Sequence, residues 1–371
     1  MKTKIKLALT AAILMSVPTM MPGHVDAAFW GSKSSVAEAP LYPVTPLIVE
    51  KGVDLMYPSA AGDFLVYSKY SGVGEYNIAR VSKFSPLSGE RNIKPVVLDD
   101  AIRFGVAVSD GSMGYISNRL GPVFAWMWQG HGEGHVAIAN MATFTGGLVP
   151  LHLNASRSGS VWCFDATMER NRLNQLLNEF SKVSHQELLG QQWRTYDSDS
   201  YRHKLGYAET KTGKTNKFNP PMLFTFDRKS SQLVMINNAF DGALSPDGRR
   251  IAFVRETNGN YDIWVQDVDG GEVVQLTNSP FGDFEPAWNA DGTKLAFVSN
   301  RDSEGEVTNT SIYMMDIATG KIERLTNALR AIDGGPTWLD ANTVVFHSNR
   351  DEKKPQESTR SGWNIWQVKL K

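Results

Sequence analysis

Between residues 241 and 338 apolar and polar positions follow nearly the same order twice. The first passage, 244–278, reads LSPDGRRIAFVRETNGNYDIWVQDVDGGEVVQLTN. The second, 288–327, reads WNADGTKLAFVSNRDSEGEVTNTSIYMMDIATGKIERLTN. Each gives a polar turn ending Asp-Gly, an apolar run, a polar loop, a second run, a Gly turn and a third run ending Leu-Thr-Asn. The glycines of the Asp-Gly turns, Gly248 and Gly292, stand 44 residues apart. Short runs rich in Ile, Val, Phe and Tyr between Gly, Asn and Asp predict strands and tight turns. A repeat of this length made only of such elements predicts the blades of a β-propeller.

The same order continues outward in weaker form. Residues 62–68 match the turn and first strand, 76–81 the second and 96–98 the third. A second unit begins at 104–108, turns at Ser109-Asp110-Gly111-Ser112 and runs on through MGYISNR. A third unit holds 148–153 and 160–164, and a fourth holds 204–209, 222–226 and 232–236. The clear copies are the fifth and sixth, and 336–338, 343–347 and 363–370 form a seventh. Ser117-Asn118-Arg119 recurs as Ser299-Asn300-Arg301 and Ser348-Asn349-Arg350. A planar guanidinium at a repeated strand end is expected to bridge neighbouring blades through carbonyls or carboxylates. The last unit is one strand short, and 47–49 is a strand left over at the other end. Pairing the two closes the ring and removes both sheet edges. The expectation is an all-β propeller of seven blades closed by an N-terminal strand. Six is the alternative, with units three and four as one blade carrying an insertion.

Two stretches depart from the strand pattern. In 167–193, Leu173, Leu176, Leu177 and Phe180 fall at i, i+3, i+4 and i+7, which predicts a small helical insertion. At the N-terminus, Lys2, Lys4 and Lys6 precede an apolar run over 7–17, and Val25-Asp26-Ala27 supplies small residues two apart. That run is too short for a stable span, and the order matches a secretory signal peptide over 1–27 with cleavage after Ala27. Residues 28–46 then read as a flexible leader and 47–371 as the propeller. The expected location is the periplasm or outside the cell, with no integral membrane span after cleavage.

Composition narrows the function classes. The chain has 371 residues, 42% hydrophobic and 21% charged, with a formal net charge of −1. Nothing in that balance suggests a nucleic-acid partner. The single cysteine, Cys163, permits no intrachain disulfide and no Cys-based zinc site.

Ser245-Pro246-Asp247-Gly248, followed by RRIAFV and then DIWVQDVDGGEVVQLT, resembles the TolB-like (PD40, WD40-like) propeller repeat of periplasmic and secreted proteins. The resemblance is strong over 241–327, moderate to 371 and faint before 238. The same repeat type occurs in prolyl-oligopeptidase-like enzymes and in oligogalacturonate lyases. TolB itself carries an N-terminal α/β domain, for which the residues between the signal segment and the first strand leave no room. The resemblance implies a propeller fold; a scaffold with a protein or peptide partner follows from that fold, the export signal and the absence of a catalytic motif. A closed ring is complete in one chain, so a monomer is expected.

Candidate chemistry is sparse. There is no Gly-x-Ser-x-Gly elbow, no phosphate-binding loop of the Walker type and no dinucleotide fingerprint. His131-Gly132-Glu133-Gly134-His135, if extended, places His131, Glu133 and His135 on one side. Two imidazoles and a carboxylate suit a divalent transition metal. Ligands two apart on a strand are about 6–7 Å apart, so a metal site requires a bend there; a plain loop is the other reading. Alternation puts Trp126 and Trp128 on one face, either packed between blades or exposed to a partner. With Leu173, Phe180 and Trp193 they make the candidate partner-contact residues. Loops at 302–306 and at Asp351-Glu352 could hold calcium but read equally as solvated turns. The preferred expectation is a non-enzymatic scaffold binding a protein or peptide in the cell envelope, without a cofactor. The alternative is a metal-assisted polysaccharide lyase or hydrolase working in the funnel through His131, Glu133, His135 or His347.

Overall fold

The computed structural model describes residues 42–70, 76–82, 91–93, 103–117, 124–128, 135–138, 149–167, 222–230, 232–236, 238–305, 309–327, 331–355, 358 and 362–371. The expected signal segment, the insertion beyond Thr167 with Leu173, Phe180 and Trp193, and His131 and Glu133 lie outside the described residues. Among the described residues no helix is long and apolar enough to cross a membrane.

Strands among the described residues form six four-stranded sheets, each antiparallel throughout. The innermost strands in chain order are Asp54–Ala61, Arg103–Ala107, Val149–Ala155, Phe240–Leu244, Asp283–Trp288 and Asp333–Trp338. Each neighbours the next, and the last neighbours the first, so the blades form a closed ring.

The expected count of seven is therefore corrected to six. Expected units three and four are one blade: Val149–Ala155 and Val161–Thr167 supply its inner half, and Met222–Asp227 and Gln232–Ile236 its outer half. Residues 168–221 fall between the second and third strands. The expected closure is present. Val44–Ile48 pairs with Asn364–Lys369 as the outermost strand of the sixth blade. Tyr42 Oη, just before it, donates to Glu323 Oε1 of the fifth blade at 2.5 Å.

The turns between first and second strands follow from their sequence. Gly248 and Gly292 both take φ of 72°, which a side chain resists. Their N–H groups close the turns on Ser245 O at 2.8 Å and Asn289 O at 3.1 Å. Apolar residues of the second strands then pack between blades. Trp162 is fully buried and donates Nε1–H to Gly159 O at 2.8 Å. Its ring lies over Gly114 of the second blade, where a Cβ would stand 2.2 Å from Trp162 Cζ3. Gly114→Ala is expected to cost about 1–3 kcal/mol by overpacking, read as a lower urea midpoint at unchanged slope.

The expected bridging role of the Ser-Asn-Arg arginines holds in part: Arg301 binds within its own blade, Arg350 binds both within its blade and to a carbonyl of the previous one, and Asn118-Arg119 lies outside the described residues. Arg301 reaches Asp283 Oδ1 at 2.8 Å and Oδ2 at 2.9 Å, joining the end of one strand to the start of its inner neighbour. Arg350 grips Asp333 with two nitrogens where Arg301 uses Nη2 alone, at 2.8 Å from Nε to Oδ1 and with Nη2 on Oδ2. Ser348 Oγ and Thr326 Oγ1 donate to the same carboxylate at 2.7 and 2.6 Å. Thr326 belongs to the Leu-Thr-Asn end of the previous unit, and Arg350 Nη2 also donates to Asn327 O at 3.0 Å. The repeated Leu-Thr-Asn and Ser-Asn-Arg thus meet on one buried aspartate, and blade-to-blade contact is the secondary part of the cluster.

Candidate functional site in the central channel

An innermost strand has one edge without a backbone partner, and its N–H groups there need acceptors. Side chains of the adjoining blade supply them. Ala107 N–H donates to Ser59 Oγ at 3.0 Å, Ala60 N–H to Thr337 Oγ1 at 3.1 Å, and Leu244 N–H to Asn154 Oδ1 at 3.0 Å. The channel wall is thereby set by cross-blade contacts before any ligand arrives.

Nearer the start of these strands, the register slips once in every inner strand. Such bulges re-aim a side chain. Four of the bulged residues have positive φ: Tyr57 53°, Asp241 56°, Glu285 49° and Gly335 54°. Each is followed by Pro or Gly and lines the channel. For three residues with side chains this conformation is strained, by roughly 1–3 kcal/mol each, and cross-blade bonds hold it. Glu285 N–H donates to Asp241 Oδ2 at 2.5 Å. Gly335 N–H donates to Glu285 Oε2 at 2.5 Å. Tyr57 N–H donates to His347 Nδ1 at 3.3 Å. The bulges of the fourth, fifth, sixth and first blades are linked in sequence around the channel.

Electrostatics set this end apart. His152 Nδ1 stands 3.6 Å from Asp241 Oδ1 and 3.7 Å from Asp165 Oδ1. Asp165 is fully buried and Asp241 nearly so. Burial, and then the neighbouring Asp165, push the Asp241 carboxyl up to about 8 against the pull of the Glu285 N–H. Burial and then Asp241 push Glu285 up to about 7, opposed by the Gly335 N–H and by His152. The channel therefore holds two carboxyls poised near neutrality. The cavity they share, about 160 Å³, runs from these bulges to the turns at Arg157, Pro246 and Ala290.

His347 is not part of that lining. Its ring is buried against Tyr57 at 4.9 Å and Trp363 at 5.3 Å between centroids. A Cβ at Gly334 would meet its Nε2 at 2.7 Å, and one at Gly335 its Nδ1 at 2.7 Å. Burial pushes its imidazole down to about 3, so it is neutral and serves as an acceptor.

The sequence-expected site residues are dispersed. Trp126 and Trp128 lie on Phe124–Trp128, the third strand of the second blade, opposite Tyr115 and Met113. His135 begins His135–Ala137, the outermost strand of that blade, far in strand order from the channel. Among the described residues no group of three His, Cys, Asp or Glu side chains is disposed to hold a metal ion. The residues the geometry brings together, Asp241, Glu285 and His152, were not singled out from sequence. Their signal was present: Asp241-Gly242, Glu285-Pro286 and Gly335-Pro336 recur at steps of 44 and 50 ahead of the turns.

Comparisons with known proteins agree with the ring. The TolB beta propeller domain family matches residues 203–310. A TolB homolog of Chlorobaculum tepidum is 32% identical over 130 residues, covering 33% of this chain and 28% of that protein. The Tol-Pal system protein TolB of a Polaromonas species is 37% identical over 78 residues, covering 21% of this chain and 17% of that protein. The chain thus spans less than a third of the length of these relatives. An oligogalacturonate lyase in complex with manganese superposes with a TM-score of 0.51 at 11% identity, covering 90% of this chain and 94% of that one, a likeness of fold alone. The propeller of this chain is TolB-like.

Proposed function

We propose that the chain is a cell-envelope propeller that binds a protein or peptide partner at its central channel. The observation that carries this reading is the channel itself. Its wall is fixed by cross-blade bonds, and small residues such as Ala60, Ala155 and Ala290 line it together with Trp288 and Trp338. Preformed concave sites of mixed polarity are where propellers and other folds take ligands. The export-type N-terminus and the TolB-like repeat support an envelope setting, and the ring acts as a monomer. Trp126 and Trp128, with Leu173, Phe180 and Trp193 of the insertion, are the candidate second contact.

The test is affinity capture from an envelope fraction with the intact chain, with Ala290→Arg, and with residues 168–221 removed. Ala290 is exposed at the channel mouth, so an arginine there blocks entry without disturbing the core. Loss of the partner with Ala290→Arg, at unchanged thermal midpoint, is the expected result. Full retention of the partner by Ala290→Arg would place binding elsewhere and sink the channel reading.

The enzymatic alternative has one observation in its favour: Asp241 and Glu285 titrate near neutrality beside His152, as general acids and bases do. A metal-assisted lyase or hydrolase of polysaccharide would add a divalent ion at His131, Glu133 and His135. Stoichiometric metal in the purified protein, lost in His131→Ala and His135→Ala, would favour it over the scaffold.

A further inference from the structure

We infer that Asp241 and Glu285 form a proton-operated clasp that ties the inner-strand bulges of the fourth, fifth and sixth blades to one another at the channel and loosens as the two carboxyls ionise. This does not depend on what the channel binds. The geometry supplies three parts. First, the contacts cross blades: each carboxyl accepts the N–H of the bulged residue of the next inner strand, both at 2.5 Å. Second, the bulges leave Glu285 and Gly335 without a register partner inside their own blades, so the carboxyl of the preceding blade serves their N–H groups, beside the Trp288 Nε1–H to Ala243 O and Trp338 Nε1–H to Ala287 O bonds that cross the same junctions. Third, one imidazole, His152, faces three carboxyls, those of Asp165, Asp241 and Glu285. Asp241 faces Asp165 and His152 of the third blade and Glu285 of the fifth. Glu285 faces Asp241, His152 and the Gly335 N–H, and the buried His347 lies beyond Gly334 and Gly335. Arg157 lines the far, turn end of the channel.

The sign follows from linkage. In the closed ring Asp241 titrates at about 8 and Glu285 at about 7, above the ordinary 3.8 and 4.5. A carboxyl released to water ionises, so the closed ring holds protons that the opened one does not. Closure is complete at low pH and weakens as pH rises toward those values. Opening should increase about tenfold per pH unit for each carboxyl that reaches water, flattening above about pH 8.

Native-state hydrogen exchange at the Glu285 and Gly335 amides reads this directly. After correction for the intrinsic rise of exchange with pH, protection of these two amides in the intact protein is expected to fall at least tenfold per unit between pH 5.5 and 7. Asp241→Asn and Glu285→Gln keep an acceptor oxygen but remove one ionisation each, and each should flatten that slope by about tenfold per unit. Glu272→Gln, at an exposed turn, should leave it unchanged. If one variant does not fold, the other and the wild-type slope still decide. A merely structural role for the pair would shift protection equally at every pH, and that result, or a wild-type profile without slope, overturns the clasp.

Discussion

Replacing Arg350 with alanine is expected to destabilise the ring by about 3–5 kcal/mol, the cost of leaving a buried charge without its partner. Asp333 and Arg350 are both buried from solvent, and the guanidinium also donates to Asn327 O at 3.0 Å and Pro355 O at 2.5 Å. Removing it strands the Asp333 carboxylate with two hydroxyl donors and no counter-charge. Asp333→Ala should cost a similar amount, because it leaves the guanidinium buried instead. The double variant should cost clearly less than the two single costs added, since neither charge then remains. Arg301→Ala, at the equivalent place one blade earlier, should cost less, because that arginine is 22% exposed and its removal opens a path for water to the buried Asp283 carboxylate. Chemical denaturation of the four variants checks the order; equal effects at Arg301 and Arg350 would show that burial does not set the cost.

These two arginines show how far the sequence can be read. The recurrence of Ser-Asn-Arg was visible, and so was the strand it ends. The partner was not, because the aspartate begins an inner strand that does not look like one. Asp283–Trp288 and Asp333–Trp338 read DFEPAW and DGGPTW, where Pro and Gly interrupt the two-residue alternation that marks a half-buried strand. The second and third strands of each blade, such as Arg250–Thr257 and Asn260–Asp267, alternate freely between two packed faces and were legible at once.

The miscounted blades have a related cause. Inner strands read as strands in the second, third and seventh units, at 104–108, 148–153 and 336–338, but the first, fifth and sixth are counted from their Gly turns, so the units have unlike starting points. The third blade, with 168–221 between its halves, then passed for two. The channel site was hidden by the same bulges that build it. Prolines and glycines after Tyr57, Asp241, Glu285 and Gly335 look like loop punctuation, yet they aim those residues at the axis. Nothing in the local pattern of His347 separates a buried acceptor from a ligand; only the rings of Tyr57 and Trp363 around it decide.

His347→Phe is expected to be less stable than the wild type at pH 7.5 and to close that gap by about 3 kcal/mol at pH 4. The imidazole is buried and titrates at about 3 in the ring, against an ordinary 6.5 in the unfolded chain. Below 6.5 the unfolded chain binds a proton that the folded one refuses. The contribution of His347 is thus fully present above that value and is lost as pH falls toward 3. At pH 7.5 phenylalanine keeps the ring packing but takes away the acceptor of the Tyr57 N–H, an unsatisfied buried donor costing about 1–3 kcal/mol. Acid reverses the balance, because phenylalanine has no proton to refuse. Asp241 and Glu285 act with the opposite sign over an overlapping range, so the wild-type curve alone mixes the two effects. The difference between variant and wild type cancels the carboxyl contribution and isolates the histidine. A difference that stays constant from pH 7.5 to 4 would mean that His347 is charged in the folded ring, and the buried-acceptor account of the junction between the sixth and first blades would fail.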